Sequence, residues 1–219
     1  MTRISLILIS LLISCIVSAQ YNDAGLWADV SLSREVSDRL EVTVSPEIRL
    51  DENISRWARC FVDLSAEFSL NKRFSMTAAY RGGWSNDGVH VDPRQRLQYG
   101  LTIKEKQGDF VFQYQSRIQL SIAGTVGDAD ADFVTLWRNR AGIKYTGFKK
   151  LDLSTSFELF NNASQYNPLE LQNWRWIAQA TRKITKKQSV AAGYLIQRDF
   201  TESPLETDYV ILLSYKVEL

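Results

Sequence analysis

Apolar and polar residues alternate with a period of two along most of the chain. In residues 39–50, six alternate positions are apolar and the five positions between them are polar. The apolar positions are Leu40, Val42, Val44, Pro46, Ile48 and Leu50. Because successive side chains of a β-strand point to opposite faces, this pattern predicts a strand with one apolar and one polar face. The last twelve residues, DYVILLSYKVEL, alternate in the same way.

Eleven segments share this alternation, and no convincing helical periodicity interrupts them. They cover residues 25–35, 39–50, 56–69, 73–84, 94–105, 109–120, 133–145, 150–160, 173–184, 189–200 and 206–219. Their order predicts an antiparallel meander, in which neighbouring strands are joined directly. The connections alternate in length. The short ones are 36–38, 70–72, 106–108, 146–149 and 185–188, the longer ones are 85–93, 121–132, 161–172 and 201–205, and 51–55 is intermediate.

Strand length, loop asymmetry and aromatic placement favour a barrel whose apolar face meets lipid. The segments reach about ten to twelve residues, whereas soluble strands average about five or six and a tilted membrane strand needs roughly nine to eleven. Short turns at one end and longer loops at the other are typical of outer-membrane barrels, and Trp and Tyr suit the membrane interface. The sequence therefore predicts an all-β, antiparallel up-and-down transmembrane β-barrel of 10–12 strands. Since single-chain bacterial barrels have even counts, we expect ten or twelve, with twelve slightly favoured.

The first residues predict export across a membrane. Residues 1–19 combine Arg3, an apolar stretch and a small-residue cleavage pattern ending at Ala19, which together indicate a secretory signal peptide. Residues 20–219 then form a single barrel domain in the outer membrane of a Gram-negative bacterium. In a competing interpretation, the stretch LISC makes Cys15 a lipidated first residue. Cleavage after Ala19 leaves Cys60 as the only cysteine, which cannot form an internal disulfide.

Several stretches resemble a known family. They are AGLWADVSLSREVSDRLEVTVSPEIRLDENISR, NKRFSMTAAYR, RNRAGIKY and the terminal TDYVILLSYKVEL. Together they resemble an uncharacterised family of Bacteroidetes outer-membrane β-barrels, the domain of unknown function 2490, over essentially the whole mature chain. The resemblance implies an outer-membrane barrel and provides no catalytic residues to transfer. Such chains usually end on an aromatic residue that the barrel-assembly machinery is thought to bind, whereas this chain ends on Leu219.

Arginines are concentrated on the polar face of the strands. With 26 Lys plus Arg against 25 Asp plus Glu, the chain lacks the basic excess of a nucleic-acid binder. The candidates for an anion-attracting lumen, expected in the half next to the longer loops, are Arg49, Arg59, Arg81, Arg96, Arg117, Arg138, Arg140 and Arg175. The alternative is that they pair with Glu47, Asp63, Glu67 and Glu158 and fill the barrel as a salt-bridge network.

Other candidate chemistry is sparse. The lone histidine, His90, lies near Ser85 and Asp87, but their spacing does not indicate a catalytic triad. The stretch GDADADF places Asp128, Asp130 and Asp132 in alternation, yet it lacks the glycine and glutamate of an EF-hand. We therefore expect no catalytic residue, no metal and no cofactor.

The sequence leaves three functional hypotheses open. The first is an outer-membrane barrel, expected to be a monomer, that passes or binds small anionic solutes. The expected partners are outer-membrane lipid and, through the C-terminal strand, the assembly machinery. The second is a periplasmic or surface-lipidated soluble β-barrel that binds an apolar ligand, and the third is a membrane-embedded lipid or glycan hydrolase.

Overall fold

The computed structural model describes residues 23–123, 132–163, 169–201 and 207–219, which form eleven β-strands closed into a barrel. The strands are β1 (Ala24–Ser37), β2 (Leu40–Asp51), β3 (Arg56–Ser69), β4 (Phe74–Asn86), β5 (Val91–Gln107), β6 (Phe110–Ala123), β7 (Asp132–Phe148), β8 (Leu151–Asn162), β9 (Leu171–Lys183), β10 (Gln188–Asp199) and β11 (Thr207–Glu218). In these ranges no helix has the length and apolar character to span a membrane. The predicted signal peptide and Cys15 lie outside the described residues.

The strands pair in chain order, and the first pairs with the last. All neighbours in sequence are antiparallel, as predicted, but β1 and β11 are parallel, with a continuous register from Ala24–Tyr209 to Ser33–Glu218. The all-β barrel is confirmed. The expectation of an even count is wrong, because a parallel ladder also pairs the N–H and C=O groups of both edges and so closes an odd number of strands.

The two ends of the barrel differ. At one end, which we call the turn end, the connections are 38–39, 70–73, 108–109, 149–150 and 184–187. At the other, the loop end, they are 52–55, 87–90, 124–131, 163–170 and 200–206. Because β1 and β11 are parallel, both begin at the loop end and finish at the turn end. The predicted alternation is confirmed in part: 124–131, 163–170 and 200–206 are longer than every turn-end connection, whereas 52–55 and 87–90 have four residues, like 70–73 and 184–187.

One loop at the loop end is held in an unusual backbone conformation. Glu52, Asn53 and Ile54 have φ values of 48°, 57° and 66°, a left-handed region that non-glycine residues rarely occupy. The carboxylate of Asp23 accepts the backbone N–H groups of Glu52 and Asn53, each at 2.9 Å. The residue just before β1 thus fixes the loop between β2 and β3.

Side-chain exposure shows which face of the strands points outward. On β2, Val44 and Ile48 are 37% and 44% exposed, whereas the side chains of Glu47 and Arg49 are only 15% and 11% exposed. The outward aromatic residues include Tyr80, Trp84 and Phe110. The apolar rows therefore form the outer surface of the barrel, and the charged rows fill its interior.

Inward-facing glycine allows β3 and β4 to approach closely. A Cβ atom at Gly83 would overlap the backbone carbonyl oxygen of Cys60 and the Cβ atom of Phe61. At the neighbouring Gly82, which faces outward, a Cβ would meet only the ring of Tyr80, at 3.1 Å from its hydroxyl oxygen. Gly83 therefore marks a point of close packing between β3 and β4.

This difference predicts the effect of alanine at the two neighbouring positions. We expect Gly83→Ala to lower the free energy of unfolding by about 1–3 kcal/mol, since overpacking against backbone cannot relax by side-chain rotation. Gly82→Ala is the matched control, and its cost is expected to be small because the Tyr80 ring can rotate away. Denaturant unfolding of the folded barrel measures both values. Equal costs for the two variants would contradict the predicted clash.

Candidate functional site

Arginine and aromatic side chains form a continuous layer across the middle of the barrel. The guanidinium carbon of Arg81 lies 3.4 Å from the ring centroid of Phe61. Arg49 lies 3.5 Å from the ring of Trp27 and 4.9 Å from that of Phe61. A cation over an aromatic face is attracted to the ring's negative charge, most strongly where water is excluded. These contacts connect β4, β3, β2 and β1.

The same stacking continues on the opposite wall. Arg175 lies 5.0 Å from both Trp27 and Phe160, and Arg138 lies 4.4 Å from Phe160. With these residues the layer extends through β9, β8 and β7. We call this layer the central cluster. Its members are Trp27, Glu47, Arg49, Phe61, Asp63, Arg81, Arg117, Arg138, Glu158, Phe160 and Arg175.

Carboxylates neutralise most of the central cluster's arginines. Glu47 accepts from Arg49 Nε at 2.6 Å and lies 3.5 Å from Arg81, which also pairs with Asp63. Because these side chains come from β2, β3 and β4, the ion pairs connect three consecutive strands across the lumen wall.

The second carboxylate centre is Glu158. Its Oε1 atom lies 3.0 Å from Arg138 Nη2 and also pairs with Arg117. Arg138 further donates from Nη1 to the amide oxygen of Gln119, at 2.7 Å. Glu158 and Arg138 are 2% and 5% exposed, so water scarcely reaches this layer. For these residues the salt-bridge alternative describes the arrangement, and the central cluster lies in the lumen at mid-height.

The space on the loop-end side of the central cluster is lined by less neutralised arginines. A cavity of about 280 Å³, which we call the vestibule, is lined by Arg59, Arg81, Arg94 and Arg96 together with Phe61 and other residues. Arg59 and Arg94 are exposed to solvent there. Among the described side chains, no carboxylate lies within 4.0 Å of Arg59, Arg94 or Arg96. The vestibule therefore has positive charge available to a ligand.

A second cavity of about 290 Å³ adjoins the vestibule through Arg59. It is more balanced in charge, since Asp23, Asp51 and Asp208 line it with Arg49 and Arg175. Arg175 Nε donates to the amide oxygen of Gln197 at 3.0 Å. The acidic residues make this cavity a poorer place for an anion than the vestibule.

Two predicted lumen residues lie nearer the turn end than the central cluster does. Arg140 lines a cavity of about 280 Å³ with Lys104 and Lys144, so it faces the turn end and not the loop-end half. Glu67 pairs with Lys104 at 3.4 Å and not with an arginine. Both residues lie in the half of the lumen toward the turn end, and for Glu67 this follows from its place two residues before the end of β3.

The carboxylate of Asp87 holds the backbone of the loop that contains His90. The Asp87 carboxylate accepts the backbone N–H groups of His90 and Val89, at 2.7 and 2.8 Å. Both hydrogen bonds hold the pKa of the Asp87 carboxyl below its ordinary value, and the bond from His90 has the larger effect. In the described parts of the chain, no group of three or more His, Cys, Asp or Glu residues is placed to hold a metal. Asp128 and Asp130 lie outside those parts.

Three aromatic residues of the central cluster were missed by sequence reasoning. Trp27, Phe61 and Phe160 point into the lumen, whereas the sequence interpretation considered aromatic residues only as markers of the membrane interface. The sequence contained a signal for these residues, because each lies in the same alternating row as charged residues of its strand. Trp27 shares its row with Asp29, and Phe61 shares its row with Asp63. An aromatic residue in a polar row of a barrel strand is thus a candidate partner for lumen arginines.

A comparison with protein families covers most of the described barrel. The family described as a protein of unknown function (DUF2490) matches residues 24–208, from the first residue of β1 into β11. The chain belongs to the DUF2490 family. This confirms the resemblance seen in the sequence. No curated protein matches this DUF2490 barrel.

Removal of the most buried carboxylate tests the energetic role of the central cluster. We expect Glu158→Gln to destabilise the DUF2490 barrel by about 3–5 kcal/mol, because Arg138 and Arg117 lose the charge that offsets their burial. Glu67→Gln is the matched control; its half-exposed pair with Lys104 is expected to contribute at most about 1 kcal/mol. Denaturant unfolding followed by tryptophan fluorescence gives both values. A cost for Glu158→Gln no greater than that of the control would contradict this role.

Proposed function

We propose that this DUF2490 protein is an outer-membrane β-barrel that binds small anions in its vestibule. Support for membrane placement begins with the outer surface. Apolar residues of the outward rows, such as Leu64, Met76, Tyr99 and Ile118, are 47%, 51%, 63% and 47% exposed. A soluble protein rarely exposes contiguous apolar patches larger than a few hundred Å². A surface that is apolar around the barrel fits a lipid environment.

Two further features suit a lipid environment. The closed ladder leaves no free strand edge, and an unpaired backbone group in lipid costs several kcal/mol. Polar groups on the outer face also have partners: Tyr114 donates its hydroxyl to Asn139 Oδ1 at 2.7 Å, and Trp137 Nε1 donates to Ser116 Oγ at 2.8 Å. These bonds reduce the cost of placing Asn139 and Ser116 against lipid.

The asymmetry of the connections gives an orientation. Outer-membrane barrels have short turns on the periplasmic side and longer loops outside. The turn end therefore faces the periplasm in this proposal, and the vestibule opens toward the exterior.

A peptide tag inserted at two sites tests placement and orientation together. A tag after Gly88, at the loop end, is expected to bind antibody on intact cells, whereas a tag after Gly108, at the turn end, is expected to bind only after the outer membrane is permeabilised. Both tagged proteins should remain in the outer-membrane fraction and show heat-modifiable gel mobility. Release of the untagged protein without detergent would contradict membrane placement, and the reverse pattern of accessibility would contradict the orientation.

The observation that carries the anion-binding role is the set of guanidinium groups in the vestibule. Arg59, Arg94 and Arg96 line one cavity, and Arg96 Nε is buried without a hydrogen-bond partner among the described atoms. Guanidinium groups bind carboxylate and phosphate through paired hydrogen bonds. Because the buried ion pairs and stacked rings of the central cluster lie between the vestibule and the turn end, the geometry supports binding more than passage.

The other hypotheses have less support. An apolar ligand would need an apolar lumen, but the described interior is occupied by arginines, carboxylates and amides, with aromatic rings stacked on the arginines. A hydrolase would need a nucleophile and a base in contact. His90 is exposed on a loop, 4.0 Å from Asp87 Oδ2, and that carboxylate is already bonded to the loop backbone.

Calorimetric titration with pyrophosphate tests the vestibule. We expect the detergent-solubilised protein to bind it, and the variant Arg59→Gln/Arg96→Gln to bind at least about ten-fold more weakly, since hydrogen bonds to charged groups contribute about 1.5–3 kcal/mol each. The control Lys186→Gln/Lys187→Gln removes the same charge at the turn end and should leave the affinity unchanged. Failure of the native protein to bind, or equal loss in both variants, would refute the site. A steady ion current through the native barrel in a planar bilayer would favour passage instead.

A further inference from the structure

Lysine is confined to one end of the barrel axis, whereas arginine occurs at both ends. All ten lysines of the chain lie at the turn end, in the short turns, in the strand residues next to them, or near the end of β11. They are Lys72, Lys104, Lys106, Lys144, Lys149, Lys150, Lys183, Lys186, Lys187 and Lys216. The central cluster and the vestibule use arginine alone as their cation. Lysine is therefore restricted to the turn end, and the interior at mid-height and toward the loop end contains arginine as its basic residue.

The lysines divide into two groups by their surroundings. Four lie beside carboxylates: Lys104 at 3.4 Å from Glu67, Lys144 and Lys183 at 4.0 and 3.7 Å from Asp152, and Lys216 at 3.3 Å from Glu218. The other six are exposed and have no carboxylate within 4.0 Å among the described residues. We call these six the lysine collar. They are Lys72, Lys106, Lys149, Lys150, Lys186 and Lys187.

Outward aromatic and aliphatic residues lie directly beside the lysine collar. Phe110, Tyr145 and Phe148 form a cluster with ring centroids 5.0 and 5.2 Å apart, and Lys149 and Lys150 follow it immediately in the chain. Phe74 and Ile184, next to other collar lysines, are 38% and 49% exposed. Apolar surface followed by unpaired cations is the arrangement of a membrane–water interface.

The chemistry of lysine fits that position. Its ammonium is a compact, strongly hydrated charge on a flexible stem, so it can reach a phosphate while remaining in water. A membrane surface that carries anionic lipids attracts basic residues in this zone by about 1 kcal/mol for each Lys or Arg. A site for one small anion would instead need cations converging on a cavity, whereas the lysine collar is spread over four turns around the rim.

We propose that the lysine collar binds the phosphate groups of anionic phospholipids in the leaflet at the turn end. This inference rests on the membrane placement proposed above. The lipid headgroups are the occupant that matches the ring-shaped distribution of charge and the adjoining apolar band. The collar thereby fixes the depth of the barrel in the bilayer on one side and selects the lipids around it.

Native mass spectrometry of the full-length protein in nonionic detergent tests the proposal. The protein is incubated with equal amounts of dioleoylphosphatidylglycerol and dioleoylphosphatidylcholine, and retained lipids are counted. The test variant replaces Lys149, Lys150, Lys186 and Lys187 by Gln, and its matched control replaces the same four by Arg. We expect the native protein and the Arg control to retain phosphatidylglycerol preferentially, and the Gln variant to lose that preference by at least about ten-fold.

Further arms distinguish the possible outcomes. Excess glycerol 3-phosphate should not displace phosphatidylglycerol; displacement would assign the lysines to a free phosphate and overturn the proposal. Equal retention of the two lipids by the native barrel, or unchanged preference in the Gln variant, would also overturn it. Heat-modifiable gel mobility checks that each variant is folded, and the pairs Lys149/Lys150 and Lys186/Lys187 are replaced separately if the fourfold variant is not. A native protein that needs no detergent would refute membrane placement itself.

Discussion

The alternation of side chains along closed strands is the constraint on which the rest of this barrel depends. Since each strand has one outward and one inward row, an apolar exterior forces nearly all charged strand residues into a narrow interior. There a charge must find a partner or remain near water. These two alternatives are realised in the central cluster and in the vestibule, respectively. In the first, Glu47, Asp63 and Glu158 neutralise arginines away from water, and in the second, Arg59 and Arg94 remain solvated.

The choice between arginine and lysine follows from the same constraint. Inside the barrel, a flat guanidinium can stack on Phe61, Trp27 or Phe160 and still donate hydrogen bonds in its own plane to a carboxylate. An ammonium has no flat face and is more strongly hydrated, so it is less suited to that layer. At the turn end, where side chains meet water, hydration carries no such cost, and lysines occur there beside arginines such as Arg39 and Arg73. Composition alone, with 26 basic against 25 acidic residues, hides this division.

Much of the fold was accessible from the sequence, because a period-two pattern is a local property. It gave the eleven segments, the unequal connections and the orientation of rows such as Val42, Val44 and Ile48. It also identified the carboxylates Glu47, Asp63 and Glu158 as partners of lumen arginines. The register between strands was not accessible. The height of Arg140 and the pairing of Glu67 with Lys104 depend on it, and no single segment encodes it. The parallel closure follows instead from the odd number of strands, which the eleven segments contained and the expectation of an even count set aside. The inward aromatics were visible by parity but were not predicted.

The parallel closure has a consequence for how the chain reaches its native state. Every other pair of strands can form as a hairpin soon after its turn, but Asp29 and Ser214, which are hydrogen-bonded across the closure at 2.9 Å, are 185 residues apart in the chain. The entropy of closing so long a loop delays this contact until the other strands are arranged. The last step of folding is therefore the meeting of the two chain ends side by side. Because β1 begins at the loop end and β11 finishes at the turn end, circular permutation of this barrel would require a linker that spans the full height of the barrel wall.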